Sequence, residues 1–274
     1  MTQQTNSKLT RRSFIGATGA GAAALVLAGP ALGQRASSPP SLDVPYVPTP
    51  QEVVDRMLQL VQPTAEDFVM DLGCGDGRML VTAASKFGAR GFGVDLNPVR
   101  IEEATANAKN ANVTDKIRFE VKNLFQTSIK DATVLTMYLL PSVNIQLRPR
   151  ILDEMRPGSR IVSHAFHMGD WMPDIQADAI GRTIYHWVVP AKVGGKWTFE
   201  DGELKLALEL DQKYQQFTGR GTQGPLQHRV QGALRGNDVT MSIHTPTGLK
   251  TYHGKVEGGS IVPAAGGAWR ATRG

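Results

Sequence analysis

The chain has 274 residues, of which 30 are Lys or Arg, 25 are Asp or Glu and one is Cys. A single cysteine excludes an internal disulfide, so the fold depends on its hydrophobic core. Lys8, Arg11 and Arg12 lie in the first 33 positions, which hold no acidic residue; the remaining 27 basic and 25 acidic residues give a net charge of about +2. Because this charge is small, composition argues against a nucleic-acid-binding surface.

Residues 1–33 have the layout of an export signal. A basic start precedes an apolar stretch rich in Gly and Ala, and Ala31-Leu32-Gly33 offers small residues to a signal peptidase. The stretch is short and weakly apolar for a membrane-spanning helix. The segment Thr10-Arg11-Arg12-Ser13-Phe14-Ile15 resembles a twin-arginine (Tat) signal, a route that carries folded proteins. We therefore expect a bacterial protein that is periplasmic, or anchored facing outward by an uncleaved signal.

Residues 34–50 are rich in Pro and Ser and are predicted to form a linker and a segment that precedes the first domain. A helix start follows, with Thr49 as N-cap, Pro50 at the first helical position and Glu52 closing a capping box. Apolar residues then recur at helical spacing.

Residues 51–192 are predicted to form an α/β domain. Short apolar strands alternate with Gly-rich turns and helices; the predicted strands are DFVMDLG, ARGFGVDL, IRFEVKN, ATVLTMYLL, SRIVSHAF and RTIYHWVVP. This alternation is typical of a Rossmann-like, doubly wound parallel sheet covered on both faces. Such sheets bind their ligand beyond the carboxyl ends of the strands.

Residues 193–274 are predicted to form a small antiparallel β domain. ELKLALEL alternates strictly, with Leu204, Leu206, Leu208 and Leu210 on one face, and Gly-rich turns separate further short strands. A sheet, a sandwich and an open barrel all fit this pattern.

The most informative segment is a glycine-rich turn between a strand and a helix, VMDLGCGDGR at residues 69–78. Such a turn lets the backbone approach a ligand closely. Dinucleotide-binding proteins place a pyrophosphate there, but the carboxylates of Asp71 and Asp76 would repel it. They favour a cation, and S-adenosylmethionine carries a sulfonium and an ammonium but no phosphate.

The sequence DLGCGDG resembles motif I of the class I S-adenosylmethionine-dependent methyltransferases. In that family a carboxylate after the second strand accepts the ribose hydroxyls, and Asp95 lies in that place. Asn123-Leu124 follows the third strand, where the family reads adenine, with Asn replacing the usual Asp. The resemblance predicts that the cofactor is bound by Asp71, Gly73, Gly75, Gly77, Asp95, Asn123 and Leu124.

A narrower resemblance covers residues 44–170. VPYVPTPQEVV, TMYLLPSVN and RIVSHAF are similar to segments of bacterial relatives of the mitochondrial protein-lysine methyltransferases. In those proteins a proline-rich segment folds over the cofactor, which implies that Tyr46, Val47 and Thr49 line or cover the pocket. Thr49 could instead serve only as a helix cap.

The methyl acceptor is expected beyond the fourth strand. Many methyltransferases that act on bases or glutamine carry an Asp/Asn-Pro-Pro-aromatic segment there, and residues 137–142 lack it. The aromatic and apolar lining suits a neutral amine on a lysine stem. Tyr138 is the first candidate for positioning the acceptor, Asn144 is a second, and His164 is a candidate base or substrate contact. Each also fits a purely structural role, and we predict no metal site.

We therefore expect a methyltransferase that acts on an amine, most concretely a protein lysine, and that needs no nucleic acid. Two alternatives stay open. One is an exported module that binds S-adenosylmethionine or a partner with little catalysis, because the cofactor is made inside the cell. The other is a small-molecule N- or O-methyltransferase.

Overall fold

The computed structural model describes residues 46–274; the predicted signal and most of the linker, residues 1–45, lie outside the described residues. Up to Val188 the elements are α1 (Gln51–Val61), β1 (Phe68–Leu72), α2 (Arg78–Phe87), β2 (Arg90–Asp95), α3 (Pro98–Asn110), β3 (Ile117–Val121), β4 (Val134–Met137), α4 (Pro141–Glu154), β5 (Arg160–His164), β6 (Ile175–Ala179) and β7 (Arg182–Val188). Among residues 46–274, the helices are all too short or too polar to span a bilayer.

These strands form one sheet in the order β3-β2-β1-β4-β5-β7-β6. β1 to β5 are parallel, whereas β7 runs antiparallel to both of its neighbours. The order reverses between β1 and β4, which creates the switch point where such sheets bind ligands. The predicted Rossmann-like, doubly wound sheet is confirmed.

Alternate residues of the central strands face opposite hydrophobic layers, as expected for a sheet buried on both sides. On β1, Val69 packs with α1 and α2, whereas Met70 and Leu72 pack with α4. Helix α3 begins directly after Asn97, whose Oδ1 accepts a 3.0 Å hydrogen bond from the backbone N–H of Val99.

At the far edge of the sheet, one sequence-based expectation is wrong and one strand was not predicted. The segment RTIYHWVVP is not a further parallel strand but the antiparallel β7, and the edge strand β6 before it was missed. The two strands form a hairpin through Ile180 (φ 47°) and Gly181 (φ 71°). No Asn-Gly or Asp-Gly pair marks this two-residue turn, and a β-branched residue such as Ile180 is rare at positive φ.

The predicted antiparallel β domain is confirmed, and it takes the form of a closed barrel rather than an open one. Its strands are β8 (Gly195–Asp201), β9 (Leu204–Lys213), β10 (Gln216–Gln223), β11 (Leu226–Arg235), β12 (Asp238–Thr245), β13 (Gly248–Glu257), β14 (Ser260–Pro263) and β15 (Arg270–Arg273). Pairing of β15 with β8 closes the ring. Leu206, Leu208 and Leu210 are buried in an interior that also holds Phe199 and Trp269, as expected for an eight-stranded barrel filled by side chains.

The barrel contacts the loop that follows β5. Tyr214, in the β9–β10 turn, donates a 2.9 Å hydrogen bond to Oδ1 of Asp170, and its ring packs on Trp171 with 5.9 Å between centroids. Arg148 of α4 pairs with the same carboxylate. The barrel thus supports the loop on the acceptor side of the sheet.

Candidate active site

The turn between β1 and α2 depends on glycines in the left-handed conformation. Gly73 has φ 78° and Gly75 has φ 52°, values that residues with a Cβ rarely adopt. A Cβ on Gly75 would lie 2.4 Å from Cε2 of Tyr46, and a Cβ on Gly73 would lie 3.0 Å from Cδ2 of Leu139. The missing side chains therefore let Tyr46 and Leu139 close over the turn.

A cleft of about 490 Å³ opens beyond the carboxyl ends of the central strands, and its volume is in the range of small-molecule sites. The predicted site residues that line it are Tyr46, Val47, Thr49, Asp71, Gly73, Gly75, Asp95, Asn123, Leu124 and Tyr138. Gly77 does not line it and instead caps α2. Asn144 and His164 do not line it either; both are buried beside lining residues.

Asp95 joins the end of β2 to the glycine turn. Its Oδ2 accepts a 3.0 Å hydrogen bond from the N–H of Gly75, and its Oδ1 accepts a 2.9 Å bond from the N–H of Asn97. A carboxylate has about four acceptor positions, so two remain for a ligand. Asp95 can therefore hold hydroxyl groups while it fixes the turn.

Asn123 begins a short 3₁₀ helix, Leu124–Gln126. Its Oδ1 accepts a 2.9 Å hydrogen bond from the N–H of Phe125. The side-chain carbonyl predicted to meet adenine thus already has one backbone partner, and one lone pair stays open. Leu124 follows it in the lining of the cleft.

Asp71 is a buried carboxylate beside the glycine turn. This end of the cleft is here called the donor half, because the predicted cofactor residues lie there. Burial raises its pKa to about 7; the charges of Asp95 and Asp76 add to this rise, and a hydrogen bond from Thr136 opposes it. A cation placed beside Asp71 would reverse the rise, because an opposite charge favours the ionised form. The electrostatics of this end of the cleft therefore suit a positively charged ligand.

Residues 46–49, here called the covering segment, lie over the glycine turn. The guanidinium of Arg100 stands 4.5 Å from the ring centroid of Tyr46, and Nη1 of Arg78 donates a 2.8 Å hydrogen bond to the carbonyl of Thr49. Arg78 also pairs with Asp76 of the turn. Two arginines thus hold the covering segment against the donor half of the cleft.

The predicted capping role of Thr49 is wrong. The N-cap of α1 is Pro50, and no side chain caps this helix. The hydroxyl of Thr49 is used elsewhere: it lies 3.1 Å from Nδ1 of His164, in a buried hydrogen bond between residues 115 positions apart.

Tyr138, His164 and Phe166, here called the acceptor wall, form one aromatic cluster. The rings of Tyr138 and His164 are 3.9 Å apart, and those of Tyr138 and Phe166 are stacked at 5.9 Å. Tyr138 and Phe166 line the cleft. Burial lowers the pKa of His164 to about 4, and the charge of Arg182 contributes, so this ring carries no charge at neutral pH.

Asn144 acts behind this wall. It is fully buried, and its Nδ2 donates hydrogen bonds of 3.2 Å to the carbonyl of Phe166 and 3.4 Å to Oγ of Ser163. The turn that it holds is unusual, because Ala165 has φ 62° and the N–H of Phe166 bonds to the carbonyl of His164 at 2.8 Å. Strained backbone of this kind is concentrated at functional sites.

Sequence reasoning missed three residues of the site. Phe166 was not singled out, although it follows β5, whose carboxyl end faces the ligand side of the sheet. Arg78, directly after the last glycine of the turn, and Arg100, on the first turn of α3, were not predicted to hold the covering segment. Their positions beside predicted ligand residues were the available signal.

Comparison with known proteins is consistent with this geometry. Residues 71–175 match the model of the ANTKMT methyltransferase domain. A protein-lysine N-methyltransferase from Saccharolobus islandicus is 42% identical over 151 residues, which cover 53% of this chain and 94% of that protein. The mouse adenine nucleotide translocase lysine N-methyltransferase is 34% identical over 49% of this chain and 58% of its own length.

A solved structure is also similar. It is described as an RNA methyltransferase from Salinibacter ruber in complex with S-adenosyl-L-homocysteine, and it is 47% identical, with a TM-score of 0.53 over 54% of this chain and 96% of that chain. The match shows that a chain with a related sequence and fold holds the product form of the cofactor.

The sheet with one reversed strand, and the glycine turn that opens into a carboxylate-lined cleft, define a class I S-adenosylmethionine-dependent methyltransferase. The chain belongs to the ANTKMT type within this class, and its cofactor is S-adenosylmethionine. The residues present fit that group: Asp95 has free acceptor positions for the ribose, and the raised pKa of Asp71 marks a place for a cation.

Proposed function

We propose that this methyltransferase acts on the ε-amine of a lysine in a protein. The observation that carries the proposal is the acceptor wall, where Tyr138, Phe166 and a neutral His164 contribute no charge. Such a surface packs on the aliphatic stem of lysine, and its π faces attract an amine that arrives as a cation. The Saccharolobus islandicus and mouse relatives, both described as lysine N-methyltransferases, support the same acceptor.

When bound, S-adenosylmethionine supplies a methyl group that an unprotonated amine can accept. This reaction needs in-line placement of the amine more than a strong acid–base pair. We assign that placement to Tyr138, which lines the cleft just beyond β4. His164, with a pKa of about 4, is a weak base at neutral pH, so we assign it to the wall rather than to proton removal.

RNA is a second candidate acceptor, because the Salinibacter ruber relative is described as an RNA methyltransferase. Two observations favour a protein. Residues 137–142 lack the Asp/Asn-Pro-Pro-aromatic segment of base methyltransferases. In addition, basic residues barely outnumber acidic ones after position 33, whereas RNA binding depends on clustered positive charge.

The test uses the full chain, S-adenosylmethionine with a tritiated methyl group, and a total extract of bacterial envelope and ribosomes. We expect label that protease releases and that acid hydrolysis recovers as methyl-lysine. Label released by ribonuclease would overturn the proposal in favour of RNA, and label in low-mass products would favour a small-molecule acceptor. Tight cofactor binding without any label would favour a binding module. Asp95→Ala serves as the cofactor-deficient control.

We also propose, from the sequence, that residues 1–33 direct export by the twin-arginine route. The supporting features are Arg11-Arg12, the apolar stretch after them and the small residues at 31–33. Replacing both arginines by lysine should leave the protein in the cytoplasm, whereas the natural chain should fractionate with the envelope. Equal distribution of the two forms would contradict the proposal. Mass spectrometry of the native protein would show whether the signal is removed.

A further inference from the structure

Thr49 has contacts on both halves of the cleft. Its carbonyl accepts the 2.8 Å hydrogen bond from Arg78, which pairs with Asp76 of the glycine turn. Its hydroxyl bonds to Nδ1 of His164 at 3.1 Å. One residue of the covering segment is therefore connected to the donor half through its backbone and to the acceptor wall through its side chain.

The bond to Thr49 is the only polar contact that the described residues give the ring of His164. Nε2 of this ring is buried and has no hydrogen-bond partner within residues 46–274. The centroid of this ring lies 3.9 Å from that of the Tyr138 ring. Because a buried ring with two polar atoms is held by a single hydrogen bond, the Thr49 hydroxyl fixes the rotation of that ring.

The backbone after His164 adds to this dependence. Ala165 has φ 62°, a conformation that costs about 1–3 kcal/mol and persists only where its surroundings enforce it. Asn144 holds the far side of the turn through the carbonyl of Phe166, and Thr49 holds the near side through His164. The acceptor wall is thus fixed at two points, one of which belongs to the covering segment.

We infer that Thr49 is a positioning residue for the methyl acceptor: its hydroxyl orients His164 against Tyr138 and so couples the covering segment to the acceptor wall. This inference rests on the proposed function only in that the wall receives the acceptor. The Thr49 side chain therefore serves the acceptor wall, although its backbone is bonded to Arg78 beside the glycine turn.

The variants separate the two contacts of Thr49. Thr49→Val keeps the shape and the carbonyl that Arg78 uses but loses the hydroxyl, and Thr49→Ser keeps the hydroxyl. His164→Phe keeps an aromatic ring beside Tyr138 but removes the partner atom. A double-mutant cycle between Thr49→Val and His164→Phe isolates their interaction, and thermal unfolding of each full-chain variant establishes that it is folded.

Three measurements are compared. Calorimetry gives the Kd of S-adenosyl-L-homocysteine, NMR of protein labelled in His and Tyr gives the ring signals of residues 164 and 138, and methylation of poly-L-lysine gives the acceptor KM. For Thr49→Val we expect a Kd within twofold of the natural protein, shifted ring signals of His164 and Tyr138, and at least a fivefold higher KM. Thr49→Ser should restore all values, and the double variant should be no worse than His164→Phe alone.

Unchanged ring signals in Thr49→Val, or a weakened Kd with an unchanged KM, would overturn the inference. Additive effects in the cycle would also do so. If the natural protein does not methylate poly-L-lysine, the ring signals and the Kd still decide the role of Thr49, and the labelling of the extract decides the lysine proposal separately.

Discussion

Oγ1 of Thr136 donates a 2.7 Å hydrogen bond to Oδ1 of Asp71, linking β4 to β1 at the switch point of the sheet. Both groups are buried. Burial raises the pKa of Asp71 from 3.8 to about 7, and this hydrogen bond opposes the rise. The carboxylate is therefore poised to ionise near neutral pH, where a cationic ligand can stabilise its charge.

The first prediction concerns the stability of the ligand-free protein. Because the folded-state pKa of Asp71 is raised, folding favours the protonated form. The stability from this group is fully present below its ordinary pKa of 3.8 and is lost as pH rises to about 7. The loss is on the order of 4 kcal/mol. Urea unfolding between pH 4 and 7 should show it, and Asp71→Asn, which cannot ionise, should remove this part of the pH dependence.

The same carboxylate should control cofactor affinity. S-adenosyl-L-homocysteine carries an ammonium, so it should bind more tightly as Asp71 ionises. Its affinity should rise by up to tenfold for each unit by which the pH increases toward 7, and should then level off. Calorimetry over this range measures the change. If Asp71→Asn kept the same pH dependence, another group would have to be responsible and Asp71 would not contact the ammonium.

The second prediction concerns Asp95. Asp95→Ala removes the acceptor for the ribose hydroxyls and releases the N–H groups of Gly75 and Asn97, to which the carboxylate is bonded at 3.0 and 2.9 Å. We expect the free energy of S-adenosyl-L-homocysteine binding to weaken by about 1–3 kcal/mol. The matched control is Asp55→Ala, a half-buried carboxylate paired with Lys86 on the helices, which should leave the Kd unchanged. An unaltered Kd in Asp95→Ala would rule out its assignment to the ribose.

The sequence allowed the donor half of the site to be predicted, because its parts are local. Glycines in a turn and an acid at the end of the next strand have fixed spacing, and the carboxyl ends of parallel strands meet at one edge. The sequence alone therefore predicts that Asp71 and Asp95 lie at one site, and both line the cleft. The left-handed φ angles of Gly73 and Gly75 follow from the same pattern.

The acceptor half could not be predicted in this way, because its contacts are distant in sequence or lack a residue signature. Threonine before Pro50 is typical of a helix N-cap, and only the tertiary structure brings the hydroxyl of Thr49 to His164. The strained turn at Ala165 carries no glycine, so nothing in the residue types marks it. Closure of the barrel likewise depends on pairing between β15 and β8, the last and first strands of that domain.

The third prediction tests the glycine turn. Gly75→Ala places a Cβ 2.4 Å from Cε2 of Tyr46 and also strains a φ of 52°. We expect the covering segment to be displaced and the affinity for S-adenosyl-L-homocysteine to fall by at least tenfold. Gly181→Ala is the matched control, because Gly181 also has positive φ (71°) but a Cβ there meets nothing within 4 Å. It should lower stability by about 1 kcal/mol and leave the Kd unchanged; equal Kd values in both variants would contradict a role for the turn.

The fourth prediction concerns the strained turn of the acceptor wall. Ala165→Gly should stabilise the protein by roughly 1 kcal/mol, because glycine adopts a φ near 62° without steric cost. This is opposite to the usual effect of an Ala→Gly change, which Ala207→Gly on the exposed face of β9 should show by a loss of about 0.5–1 kcal/mol. Urea denaturation compares the two variants at one pH.

The same change should affect function in the opposite direction. A glycine gives the turn more freedom, so Phe166 is held less firmly against Tyr138, to which it is stacked at 5.9 Å. We expect a higher acceptor KM at unchanged affinity for S-adenosyl-L-homocysteine, because the turn lies outside the donor half of the cleft. A more stable variant with unaltered KM would show that strain at Ala165 does not contribute to acceptor binding.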